Sequence, residues 1–157
     1  MPDSIVIREG RPDDWRVIAE GNMAMARETE GKELVAGIVE SGVRAALADG
    51  HKGRYLLVER DGRVVGQAMV TLEWSDWRNG WLWWIQSVFV LPACRRCGVF
   101  RRLYHHIREQ ARAEGDVCGL RLYVERANDR AVATYAALGM TDAGYELMEE
   151  EWSAKRG

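Results

Sequence analysis

The sequence predicts an α/β protein: a mixed, mostly antiparallel central sheet with helices on both faces. Three observations lead there. Asp61-Gly62 and Asn79-Gly80 are two-residue turns between apolar, strand-like runs, the pattern of an antiparallel meander. The apolar run 81–91 is stopped by Pro92, and an amphipathic helix and a further strand follow, so those two strands should lie parallel. The whole order, β-α-α-β-β-β-α-β-α-β, combines both kinds of connection in one sheet.

Each element has its own local cause. Ile5 to Ile7 is a short strand, and Gly10 to Asp14 turns the chain into a helix. Pro12 suits a helix start because its missing N–H is not needed there, and Asp13 and Asp14 suit the positive end. Trp15, Ile18, Ala19, Met25 and Ala26 mark a helical face to about Thr29, and Gly31 interrupts it. Leu34, Ile38, Ala45 and Ala46 support a second helix ending near Asp49. Strands follow at 54–60, 64–74 and 81–91. Phe100, Leu103, Tyr104, Ile107 and Ala111 stand at helical spacing on a helix from Val99 to about Glu114. Cys118 to Val124 is a strand, Arg130 to Leu138 a short helix closed by Gly139, and Tyr145 to Trp152 a last strand.

The 157 residues are 47% hydrophobic and carry a net charge of −2, which suits a single domain over 1–157 and argues against a general nucleic-acid binder. No uncharged apolar run is long enough to span a membrane, and the N-terminus does not read as a signal peptide. Three cysteines make no disulfide framework, so the expected compartment is the cytoplasm. Five of the seven tryptophans fall between Trp74 and Trp84.

The strand at 81–91 feeds a basic turn and then a helix start. Backbone N–H groups at Arg95, Arg96, Cys97, Gly98, Val99, Phe100 and Arg101 lie where unpaired donors and the helix dipole favour an anion. A solvated basic face is the competing reading. Cys94 and Cys97 form a C-x-x-C, but no proline lies downstream to complete a thioredoxin-like redox site. A metal site would need more ligands than His105, His106 and Cys118 supply, so none is expected.

Val90, Pro92, Arg95 and Gly98 stand in a pattern that resembles motif A of the Gcn5-related N-acetyltransferase (GNAT) superfamily, Q/R-x-x-G-x-G/A. Leu122 to Met140, with Asn128, Ala131, Tyr135, Leu138 and Gly139, resembles its motif B. The departure is Phe100, where the family usually has Gly or Ala; its side chain falls on the apolar helix face with Leu103 and Ile107. The resemblance implies an acyl-CoA N-acyltransferase fold. It also implies acetyl-CoA as the donor, with its pantetheine arm paired along Val88, Phe89 and Val90 in a gap between splayed strands. The pyrophosphate would lie on the backbone around Arg96 to Arg101. Asn128 would contact the cofactor or order its loop, and Tyr135 would protonate the leaving thiolate. By its helical spacing with Val132 alone, Tyr135 reads as packing.

The resemblance further implies direct attack by an amine through a tetrahedral intermediate, and a base to deprotonate that amine. Some members carry a glutamate on the strand before motif A; here Trp84 occupies that position. Glu73 is the first substitute, then Glu28 and Glu30, then Asp76. Each also reads as a solvated loop carboxylate, and Trp81 and Trp83 as core. Taken together, Glu28, Glu30, Glu73, Asp76 and Trp84 suggest an acidic, aromatic pocket for a small cationic amine. The alternatives are protein or peptide N-acetylation and a non-catalytic acyl-CoA sensor. A homodimer is compatible with the chain.

Overall fold

The computed structural model describes residues 4–152. The chain divides into two compact units, Met1–Tyr123 and Val124–Gly157. The first holds β1 (Ile5–Glu9), α1 (Trp15–Glu30), α2 (Ala36–Ala48), β2 (Arg54–Arg60), β3 (Arg63–Ser75), β4 (Gly80–Val90), α3 (Val99–Ala113) and β5 (Val117–Leu122). The second holds α4 (Asp129–Ala137).

The sheet order is β1-β2-β3-β4-β5. The first three pairings are antiparallel and β4–β5 is parallel. This is the mixed sheet that the turn pattern and the helical crossover predict. Period-2 alternation splits β2 between two layers. Tyr55 and Leu57 join Ile18, Ala19, Val43 and Ala46 in a cluster under α1 and α2. Leu56 and Val58 point the other way, toward α3: a Cβ on Gly66, the register partner of Val58, would lie 3.0 Å from Val99. Helices therefore cover both faces.

Three local expectations are corrected. Asp61 and Gly62 do take positive φ, +52° and +79°, as a tight hairpin demands. The second hairpin differs: Ser75 pairs with Gly80 and only Asn79 (φ +49°) is left-handed, so its loop is 76–79. Gly80 belongs to β4, where a side chain would meet Cys118 and would stand 2.8 Å from the Asp116 carbonyl oxygen. Phe100 is half-buried at the margin of α3, and the fully covered stripe is Val99, Leu103, Tyr104, Ile107 and Ala111. Residues 145–152 form no strand. A strand needs a neighbour to pair its backbone, and the described part of the second unit contains none.

Candidate active site

The β4–β5 ladder runs from Trp81↔Val117 to Ile85↔Leu122 and stops. β4 continues to Val90, so 86–90 have no register partner in β5. On its other side, β4 carries one extra residue: Gln86 pairs with Met69 and Phe89 with Gln67. Ser87 sits in this bulge at φ +51°. A bulge takes backbone groups out of the ladder and re-aims the strand. On the side away from β3, Val88, Phe89 and Val90 thus have no strand partner among the described residues, and Arg95 takes the Val90 carbonyl.

The chain then turns into α3. Leu91 N–H donates to the Val65 carbonyl at 2.9 Å, and Pro92–Cys94 forms a single 3-10 turn. Arg96 (φ +63°) and Gly98 (φ +78°) are left-handed. Arg102 N–H donates to the Gly98 carbonyl at 3.1 Å, so the N–H groups of Val99, Phe100 and Arg101 precede the first turn of the helix ladder. Its chain neighbours aside, no atom of the described residues lies within 4 Å of where a Cβ on Gly98 would stand. Arg96, Cys97 and Arg101 are exposed. Arg95 is exposed too, but its guanidinium is held. Its Nε donates to the Val90 carbonyl at 2.9 Å, its Nη2 to Glu28 Oε2 at 2.6 Å, and it lies 5.5 Å from the Phe89 ring centroid.

The candidate carboxylates differ in their partners. Glu73 Oε1 accepts from Trp84 Nε1 at 3.0 Å and from Arg121 Nη1 at 2.9 Å. The Trp84 ring lies 4.5 Å from that of Tyr123. Glu73 and Trp84 are therefore brought together on one sheet face, with an arginine added. Glu28 is paired with Arg95 on α1, Glu30 is exposed at the end of that helix, and Asp76 is exposed in the β3–β4 loop. Two of the four acids carry a guanidinium partner, which offsets much of their negative charge. Trp83 is buried beneath Arg54, 4.9 Å from its ring centroid, and Trp81 packs edge-on against Trp74 at 5.0 Å, in keeping with their packing role.

In the second unit, Asn128 caps α4: its Oδ1 accepts the Ala131 N–H at 3.1 Å. Burial pushes the Tyr135 phenol above its ordinary pKa of 10.0. Cys94, Cys97 and Cys118 are free thiols. Among the described residues, no group of three or more His, Cys, Asp or Glu could hold a metal, and no helix is long and apolar enough to cross a membrane.

Sequence reasoning missed Gln67, Asn22 and Ser87. Gln67 is 2% exposed in the middle of β3, and its Nε2 stands 2.9 Å from Asn22 Oδ1 and 3.4 Å from the Ser87 carbonyl oxygen. One signal was available: a lone amide between Gly66 and Ala68, inside an otherwise apolar run. Nothing local marks Ser87, because a bulge is a property of two strands.

The sequence profile of the Acetyltransferase (GNAT) family matches residues 13–140. Among solved structures, the chain is similar to a possible acetyltransferase from Clostridium difficile 630. The two share 45% identity over 96% of this chain and 99% of that one, with a TM-score of 0.89. It shares its fold with an aminoglycoside N-acetyltransferase in complex with CoA, at 14% identity over 96% and 97% of the chains and a TM-score of 0.74. A predicted acetyltransferase with acetyl-CoA from Clostridium acetobutylicum is alike in fold at 14% identity, 94% and 96% coverage and a TM-score of 0.75. Comparison with curated proteins gives no match.

Proposed function

The chain belongs to the acetyltransferase (GNAT) family, and we propose that it transfers an acetyl group from acetyl-CoA to a primary amine. The observation that carries this reading is the open edge of β4 at 86–90 running into the left-handed turn before α3. A donor with an amide-rich arm and a pyrophosphate suits that sequence of groups. The backbone of Val88 to Val90 would pair with the arm. The N–H groups of Val99, Phe100 and Arg101, with Gly98 open beside them, would hold the phosphates. Arg96 and Arg101 would add charge from the solvent side, and Arg95, which braces the turn, would add its own.

Acetyl-CoA supplies a thioester carbonyl that a neutral amine can attack. The chain's part is to bring the amine there without its extra proton. Glu73 is the proposed base: Trp84 and Arg121 both bond its Oε1, and none of the described hydrogen bonds uses Oε2. Glu28 is the second candidate. Tyr135 is the proposed acid, with a phenol that burial keeps protonated at neutral pH. Glu30, Asp76 and the Trp84 ring would favour a small cationic acceptor. On this reading residues 1–157 act as one acetyltransferase domain in a reducing cytoplasm. Leu147 and Met148, 69% and 91% exposed, are apolar surface that a second copy could cover in a homodimer.

A second reading has its own support. Arg121 occupies Glu73, and a chain without a working base would bind acetyl-CoA as a sensor. Thiol release from acetyl-CoA across a panel of amines and lysine peptides, with the product identified by mass spectrometry, separates these cases. Turnover on amines supports the enzyme, and turnover on peptides alone moves the acceptor to protein. Tight binding without turnover on any amine leaves the sensor.

A further inference from the structure

Two polar side chains, Asn22 on α1 and Gln67 on β3, meet beneath the β4 bulge. Asn22 Oδ1 accepts from Gln67 Nε2 at 2.9 Å, and that nitrogen also lies 3.4 Å from the carbonyl oxygens of Ile18 and Ser87. Gln67 is one of only two buried polar side chains among the described residues. A buried amide persists where its hydrogens are used.

Gly21 explains how the amide fits. Glycine is the poorest helix former after proline, yet Gly21 stands inside α1 and is buried. A Cβ there would lie 2.5 Å from Gln67 Oε1 and 2.8 Å from its Cδ. The helix gives up a side chain at this point, and the end of Gln67 takes the space.

The bulge itself needs holding. Ser87 is in the left-handed region, which a residue other than glycine keeps only when its surroundings impose it. Ser87 and Val88 have no register partner in β3, and β5 has already parted from β4. If phosphates lie at the start of α3 and the arm runs back along Val90 to Val88, the acyl end of the donor arrives at Ser87.

We propose that Gln67, seated on Gly21 and tied to Asn22, is a positioning residue that holds the bulge at Ser87 and so sets the backbone that meets the donor's acyl group. This rests on the acetyl-CoA reading above. It makes Gln67 matter for the acetyl group and not for the phosphates.

The test is calorimetric binding of acetyl-CoA and of CoA to the full chain and to two variants. Gln67→Met keeps the length and loses the donors. Gly21→Ala keeps Gln67 but displaces it, while improving the helix. Both should bind acetyl-CoA about five- to tenfold more weakly, with CoA within about twofold of the parent. The selective loss of acetyl-CoA over CoA is the readout that a merely structural role would not produce. Equal loss for both ligands, or no loss for either, overturns the inference. Gly21→Ala decides the matter alone if Gln67→Met does not fold. A parent that binds neither ligand overturns the acetyl-CoA reading and this inference together. A parent that binds both, with variants that do not change the ratio, overturns this inference alone.

Discussion

Arg95 reaches from the turn before α3 to Glu28 near the end of α1, with Nη2 2.6 Å from Oε2. The same guanidinium holds the Val90 carbonyl, so one side chain ties together a helix end, a strand end and the candidate phosphate turn.

Removing the carboxylate tests what the pair does. The two side chains are 43% and 40% exposed, so Glu28→Gln should cost less than about 1 kcal/mol of stability. It should also free positive charge beside the phosphates, and CoA should bind about two- to fivefold tighter at low salt, the gain fading as salt rises. Calorimetry across a salt series checks this, and an unchanged affinity would count against an anion-holding role for Arg95.

Gly98 separates strain from crowding. Its φ is +78° and open space surrounds its Cβ position, so Gly98→Ala meets no clash and only the left-handed backbone resists it. The expected loss is about 1 kcal/mol of stability, with CoA affinity down about fivefold as the turn relaxes. Thermal melts and calorimetry read the two effects separately.

Glu73→Gln keeps the shape and removes the proposed base. Acetyl transfer should fall by about a hundredfold or more, with CoA affinity unchanged. A variant that turns over at the parent rate would move the base to Glu28.

Tyr135 makes a prediction in pH. Burial raises its phenol above 10.0, so the acid form persists through neutral pH and is lost only in strongly alkaline solution. Tyr135→Phe should slow transfer at neutral pH and erase the alkaline decline in rate. Identical pH–rate profiles for the two proteins would remove Tyr135 from the chemistry.

Asp14 sets part of the acid limit. Arg8 grips its carboxylate with two hydrogen bonds, 2.8 and 2.9 Å, and the Arg11 N–H adds a third at 2.6 Å. The Arg8 hydrogen bonds are the main cause of its lowered pKa; the Arg11 bond helps and burial opposes. A lowered folded-state pKa means that the unfolded chain takes up the proton first. The stabilisation is therefore fully present above the ordinary value of 3.8 and disappears as pH falls through the folded value. Asp14→Asn should cost about 1–3 kcal/mol at pH 7 and flatten the acid limb in urea melts.

Much of the sheet was legible because its signals are local. A glycine turn, a proline stop and a helical apolar spacing each act over a few residues, and they placed β2 to β4 and α3 nearly where they stand. The turn at 95–101 was legible for the same reason. The strand expected at 145–152 failed because alternation marks a segment that could pair without supplying the partner. The acid candidates are a related case: the sequence shows four carboxylates and hides which arginines they meet.

By itself, then, the sequence determined the elements of the first unit, the turn before α3 and the family. The tertiary structure alone decided the partners. Glu73 meets Arg121 across 48 positions of chain, and Gln67 meets Ile18 across 49. Hydrogen bonds and ion pairs act over a few ångströms, so their partners exist only once the strands lie side by side. The bulge at Ser87 and the Gly21 seat beneath Gln67 belong to that second kind.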